Sequence, residues 1–232
     1  MRNTFLAILA SLLVLLTHGT PARAAEDASP TIARTGDWRT AVRQFAEANL
    51  KHPAWGASHS LRDYELAKEL AAADKVTLDD DVLYAAAWLH DVAAFPAFRK
   101  EGVDHQDEAA RIIDSLLADT GFPMARIDAV RGAIRTHMYP RDPVGPEALY
   151  LHDADALDWL GAIGVARIFG IVDPAGGAPT GPDAAARLEK QLREVPPRIL
   201  SKAGQARATQ RVRELEEFLR TLRAQTSNLG SL

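Results

Sequence analysis

Residues 84–95 read YAAAWLHDVAAF, an apolar run with His90 and Asp91 side by side near its end. Burying such an ionisable pair is costly unless a hydrogen-bond network or a metal ion compensates. His90 falls on the stripe Leu83, Ala87, His90, Ala94, so it faces the same way as apolar neighbours. Three more histidines follow the pattern. His105 heads His105, Ala109, Ile112, Leu116; His137 follows Ile127, Val130 and Ile134; His59 lines up with Arg62, Leu66 and Leu70. One inward histidine is an ordinary core residue, but four from four helices call for a shared partner. The carboxylates for it are Asp91 and, in LHDADALD, Asp153, Asp155 and Asp158. Imidazole and carboxylate together suit divalent Mn, Fe, Zn or Co, and carboxylate-bridged pairs of such ions are a hydrolytic device.

The elements that must position these groups are helices. Segments 37–51 and 58–75 show helical periodicity, with Asp37 as a cap for the first. Thr77-Leu78-Asp79-Asp80 resembles a capping box opening the helix of the YAAAWLHDVAAF stretch. A helix from about 104 to 119 ends at Gly121, and Pro123 opens another reaching about Met138. Residues 147–170 give one helix and a shorter one after Gly161, whose GAIG argues close helix packing. A flexible loop is expected at 173–183, then amphipathic helices at 183–194 and 199–224. The fold class is all-α: one compact multi-helix domain over residues 37–228, preceded by a tail at 25–36.

The N-terminus has Arg2, an apolar run at 5–16 and Ala22-Arg23-Ala24, the pattern of a secretory signal peptide over residues 1–24. A 12-residue run is too short for a stable membrane anchor, so export to a periplasm or secretion is expected. Cleavage removes Arg2 and Arg23 and no acid, taking the formal charge from −4 to −6. That balance, without a dense Lys/Arg cluster, excludes a nucleic-acid duplex as partner. There is no cysteine, so the core or a metal must stabilise the exported chain.

The order His59, His90-Asp91, Asp155 resembles the HD superfamily of metal-dependent phosphohydrolases. SHSLRDYELA is similar to its first motif, with Arg62 three residues after His59, and AAWLHDVA to its namesake motif. DHQDEAARIIDSLLADTGFP and AVRGAIRTHMYP resemble the two intermediate motifs. LHDADALDWLGAIGVARIFG and ATQRVRELEEFLRTL resemble the closing segments of small bacterial members. The likeness spans roughly residues 55–224. It implies a helical fold with His59, His90, Asp91 and Asp155 holding a first divalent ion (Mn, Fe, Zn, Co or Mg), Asp153 being the alternative to Asp155. His105 and His137 match the histidines that two-metal members use for a second ion, with Asp91 as the bridge.

The activity so implied is attack of metal-activated water on a small phosphorylated substrate, an ester or an anhydride, with nucleotides among the candidates. His90 and Asp91 carry the chemistry, and Arg62, one turn from His59, is the first candidate for a phosphate contact. Arg99, Lys100 and Arg141 read as solvated loop charges, His52 as exposed, and His152 as partly exposed or a neighbour of the ligands. Trp55, Trp88 and Trp159 read as core. Two other classes compete: a di-iron HD-type oxygenase using all six ligands, and a non-catalytic metal-binding helical module.

Overall fold

The computed structural model describes residues 29–34, 36–176 and 178–232. The expected signal peptide therefore lies outside the described residues. Nine α-helices, and no strand, form among those described. They are α1 (Trp38–Asn49), α2 (Ala57–Ala73), α3 (Asp80–Leu89), α4 (His105–Leu117), α5 (Ile127–Thr136), α6 (Pro146–Leu157), α7 (Gly161–Phe169), α8 (Gly181–Glu194) and α9 (Lys202–Gln225). None is long and apolar enough to cross a membrane.

The centre of the molecule is α6. Ala148 and every residue from Tyr150 to Leu157 are buried, so this helix has almost no solvent face. It packs against α2, α3, α5 and α9, while α4 lies on α5, and α7 and α8 lie on α9. Leu83, Leu89, Ile113, Leu117, Ile134, Leu151 and Leu157 fill the space between them.

Local chemistry sets the helix starts. Asp37 accepts from the Thr40 amide, Thr180 and Asp183 form a capping box, and Ser201 accepts from the Gly204 amide. The box expected at residues 77–80 does not form. Asp79 itself caps α3 through the Asp81 and Val82 amides, and Asp80 instead binds Arg39 and the Tyr64 hydroxyl.

Two helices end earlier than their periodicity suggests. α3 stops at Leu89, with His90 as its C-cap and a 3-10 turn at Val92–Ala94. α5 stops at Thr136, with His137 as its C-cap, and it starts after a 3-10 turn at Met124–Arg126 rather than at Pro123. Among the described residues of the tail expected at 25–36, Ile32 is buried in the core and the Ser29 hydroxyl donates to the Ala97 carbonyl. In the loop at 173–183, Ala178 is buried and Thr180 to Asp183 belong to the start of α8.

The GAIG segment permits one very close approach. A Cβ on Gly164 would lie 2.2 Å from the Trp159 carbonyl oxygen, which is backbone and cannot swing aside. Gly164→Ala is therefore expected to destabilise the fold by about 3 kcal/mol, at the upper end of overpacking costs. Urea unfolding followed by circular dichroism checks this, and a loss below about 0.5 kcal/mol would contradict the contact.

Candidate metal centre

The early ends of α3 and α5 build the site. A helix C-terminus leaves carbonyls without an intrahelical donor. His90 Nδ1 lies 2.8 Å from the Ala87 carbonyl, and His137 Nδ1 lies 2.6 Å from the Ile134 carbonyl. A carbonyl only accepts, so Nδ1 carries the proton in both rings and Nε2 presents a lone pair to the interior. The same device, a C-cap histidine anchored on the carbonyl three residues back, thus orients two of the four imidazoles.

His59, from α2, is anchored differently. Its Nδ1 donates to Asp158 at 2.8 Å. Asp158 is in turn held by Arg62 at 2.8 Å and by the buried Arg167 at 3.2 Å. This is the carboxylate–histidine arrangement that fixes the tautomer of a metal ligand. His59 Nε2 then faces His90 Nε2 at 3.2 Å, Asp63 at 3.2 Å, Asp155 at 3.3 Å and Asp91 Oδ2 at 3.7 Å.

Asp91 connects two groups of donors. Its Oδ2 lies 3.4 Å from His90 Nε2, while its Oδ1 lies 3.2 Å from His105 Nε2 and 3.5 Å from His137 Nε2. A carboxylate split in this way has the disposition of a bridge between two ions. His59, His90, Asp63, Asp91, His137 and Asp155 are all buried, and only His105, at 29% side-chain exposure, meets solvent.

The electrostatics describe a centre short of positive charge. Burial drives the Asp63 carboxyl well above the usual carboxylate range, and Asp158 and Asp155 add to that. Burial acts the same way on Asp91, but His90, His105 and His137 outweigh it and hold the carboxyl well below its ordinary value. Burial pushes His59 and His90 toward the neutral form; Asp155 and Asp158 reverse this at His59, and Asp91 reverses it at His90. His137 stays shifted downward by burial.

A divalent cation fits these residues. Two Nε2 lone pairs 3.2 Å apart repel unless a cation or proton lies between them. Both oxygens of Asp63, Oδ2 of Asp155 and Nε2 of His137 are buried without a hydrogen-bond partner among the described residues. One donor atom from each of His59, Asp63, His90 and Asp155 lies within 4.8 Å of the others, and His90, Asp91 and His137 form a second such group.

The cluster opens on a cavity of 220 Å³ lined by Trp55, Asp91, Ala94, His105, Met138, Asp155, Trp159 and Arg187. Trp55 and Trp159 are thus cavity walls as well as packing residues, which corrects their reading as core alone. Trp159 carries the Arg167 guanidinium over its ring at 3.6 Å. Trp55 stacks on His52 at 3.4 Å, and His52 Nδ1 accepts from the Ala54 and Trp55 amides. His52 is accordingly half-buried rather than exposed.

Other candidates lie elsewhere. Arg62 is not among the cavity residues; its guanidinium is engaged by Asp158. Asp153 points away from the cluster and accepts from the Leu200 and Ser201 amides at the start of α9. His152, fully buried rather than partly exposed, contacts Asp153 at 3.0 Å. Arg141 pairs with Asp104 and Asp107, while Arg99 and Lys100 are exposed.

Sequence reasoning missed Asp63, Arg167 and Arg187. Asp63 alone left a readable signal, being four residues after His59 on the same helix face. Arg167 and Arg187 reach the site from α7 and α8, and no spacing within either helix reveals that.

Comparison with known proteins agrees with this architecture. Residues 56–160 match the family model for the HD domain. A predicted HD-superfamily hydrolase from an uncultured Thermotogales bacterium is 27% identical, with TM-score 0.57 over 81% of this chain and 90% of that one. An HD-superfamily hydrolase from Bacillus thuringiensis is 23% identical, with TM-score 0.60 over 79% and 94%. YpgQ from Bacillus subtilis, solved in complex with ADP, is 21% identical, with TM-score 0.62 over 81% and 97%. No curated protein matches. HD domains bind divalent metals, and the buried His/Asp cluster is able to hold one. The chain is therefore similar to HD-superfamily proteins over residues 56–160, which match the HD-domain model and contain every histidine and carboxylate of the cluster.

Proposed function

We propose that the protein is a metal-dependent hydrolase of a small phosphorylated compound, an ester or an anhydride. The observation that carries the reading is the position of Asp91, dividing its oxygens between two histidine groups at the wall of the cavity. His59, His90, Asp91 and Asp155 would hold a first ion, and His105 and His137, with Asp91, a second. When bound, such ions activate water as a nucleophile near neutral pH and polarise a phosphoryl oxygen.

The chain's own residues do the rest. Asp158 orients His59, and Arg62 and Arg167 hold Asp158 in place. Arg187 is the cavity's own cation: it is half-buried and has no carboxylate within ion-pairing distance among the described residues. Arg62, Arg141 and Arg167, by contrast, are all paired. An unpaired guanidinium beside a carboxylate-rich centre is suited to receive phosphate oxygens in bidentate fashion. Trp55, held flat by His52, and Met138 offer an apolar wall to the leaving group. The ADP held by YpgQ makes nucleoside phosphates the first compounds to test. Export by residues 1–24 is part of this proposal, and it places the substrate in a periplasm or outside the cell.

The test is phosphate release by residues 25–232 across nucleotides and simple phosphate esters with added Mn²⁺, with Arg187→Ala alongside. Parent activity is expected, with kcat/KM reduced about 10- to 100-fold in the variant, the value of a charge-assisted hydrogen bond. Arg187→Lys is expected to recover part of it. An unchanged kcat/KM would remove Arg187 from substrate binding. Absence of phosphate release from every compound by metal-loaded protein would overturn the hydrolase reading and favour the di-iron oxidative alternative.

A further inference from the structure

We propose that Asp63 is a metal ligand, so that the first ion's site takes an oxygen from each of three aspartates beside two imidazoles. This rests on the metal centre argued above and goes beyond the four residues that the family resemblance implies. Asp63 lies on α2, one turn after His59, and is fully buried. Neither of its oxygens has a hydrogen-bond partner among the described residues. Its Oδ2 lies 3.2 Å from His59 Nε2 and 3.8 Å from His90 Nε2.

The Nδ1–H groups of both imidazoles are committed elsewhere. His59 donates Nδ1–H to Asp158 and His90 donates Nδ1–H to the Ala87 carbonyl, so in its neutral form each ring turns an Nε2 lone pair toward Asp63, and the His59 Nε2 also has an Arg167 nitrogen at 3.5 Å. A protonated Asp63 could satisfy one of those lone pairs and would leave the other facing it. A shared cation satisfies all three groups at once. Separations of 3.2 to 3.8 Å are those of neighbouring donors each about 2.0–2.3 Å from one ion. An apolar side chain would pack at this position without the cost of an isolated buried carboxylate, which the fold alone gives no reason to bear.

The consequence is metal preference. A third carboxylate makes the donor set richer in oxygen, which favours Mn²⁺ relative to Zn²⁺. The test is calorimetric titration of the chelator-stripped protein (25–232) with Mn²⁺ and with Zn²⁺, for the parent, Asp63→Asn and Asp63→Ala. Melting temperatures are recorded without metal. We expect both variants to lose Mn²⁺ affinity by about 10- to 100-fold, at least the loss seen when only an outer partner of a ligand is removed. Zn²⁺ affinity falls less, and the metal-free melting temperature is unchanged or raised, because a buried carboxyl without a hydrogen-bond partner is gone.

Mn²⁺ affinity within twofold of the parent overturns the role of Asp63. So does an equal loss for both ions with a lowered metal-free melting temperature, which marks general damage. A parent that binds neither ion overturns the metal centre itself, and this is distinguishable from the first two outcomes because it needs no variant.

Discussion

Asp91→Asn is expected to cost about 10³-fold or more in kcat for phosphate release, with the helical content unchanged. The substitution keeps the shape of the side chain and removes the one charge shared by both histidine groups. Loss of a bridging carboxylate removes several kcal/mol of charge stabilisation, and about 1.4 kcal/mol corresponds to each factor of ten. A second readout separates chemistry from folding. Metal content by elemental analysis should fall, since Asp91 contributes an oxygen to each group. Activity within tenfold of the parent would show that Asp91 is not at the reacting centre.

The second large effect is on stability. Stripping the protein with a chelator is expected to lower its melting temperature by about 8–16 °C. A ligand at about 1,000 times its Kd adds about 4 kcal/mol to the folded state, and a domain of this size shifts by about 2–4 °C per kcal/mol. The physical source is visible at the cluster, where burial, with the charges of Asp158 and Asp155 added to it, drives the Asp63 carboxyl well above the usual carboxylate range. Differential scanning calorimetry before and after metal removal checks this. An unchanged melting temperature with metal loss confirmed would mean that the fold bears the buried carboxylates unaided. Re-addition of Mn²⁺ should restore the transition, which excludes chelator damage as the cause.

His59 and its neighbours illustrate how much of the site was legible beforehand. Its inward position followed from Leu66 and Leu70 on the same stripe, and the structure places its Nε2 within 3.7 Å of Asp63, His90, Asp91 and Asp155. Arg62 shows the limit. It lies one turn from His59 on the same helix, but whether a guanidinium meets substrate or a carboxylate depends on what α6 brings opposite, and α6 brings Asp158. His105 also reads as inward by its stripe, yet it opens α4 and meets solvent at the cavity rim. Trp55 and Trp159 read as core because hydrophobic size does not tell a packed face from a cavity wall.

By itself, the sequence determined what is local. Helical periods, caps and the inward bearing of four histidines are set by neighbours within a turn or two, where 3.6-residue geometry leaves little choice. Tertiary structure decided what depends on distant elements meeting. It ended α3 and α5 one residue short of His90 and His137, so that free carbonyls anchor both rings. It brought Asp158 onto His59 across 99 residues of chain, and carried Arg187 on α8 to the cavity wall. A side chain's partner is chosen by packing across the core, and no spacing along one helix contains that information.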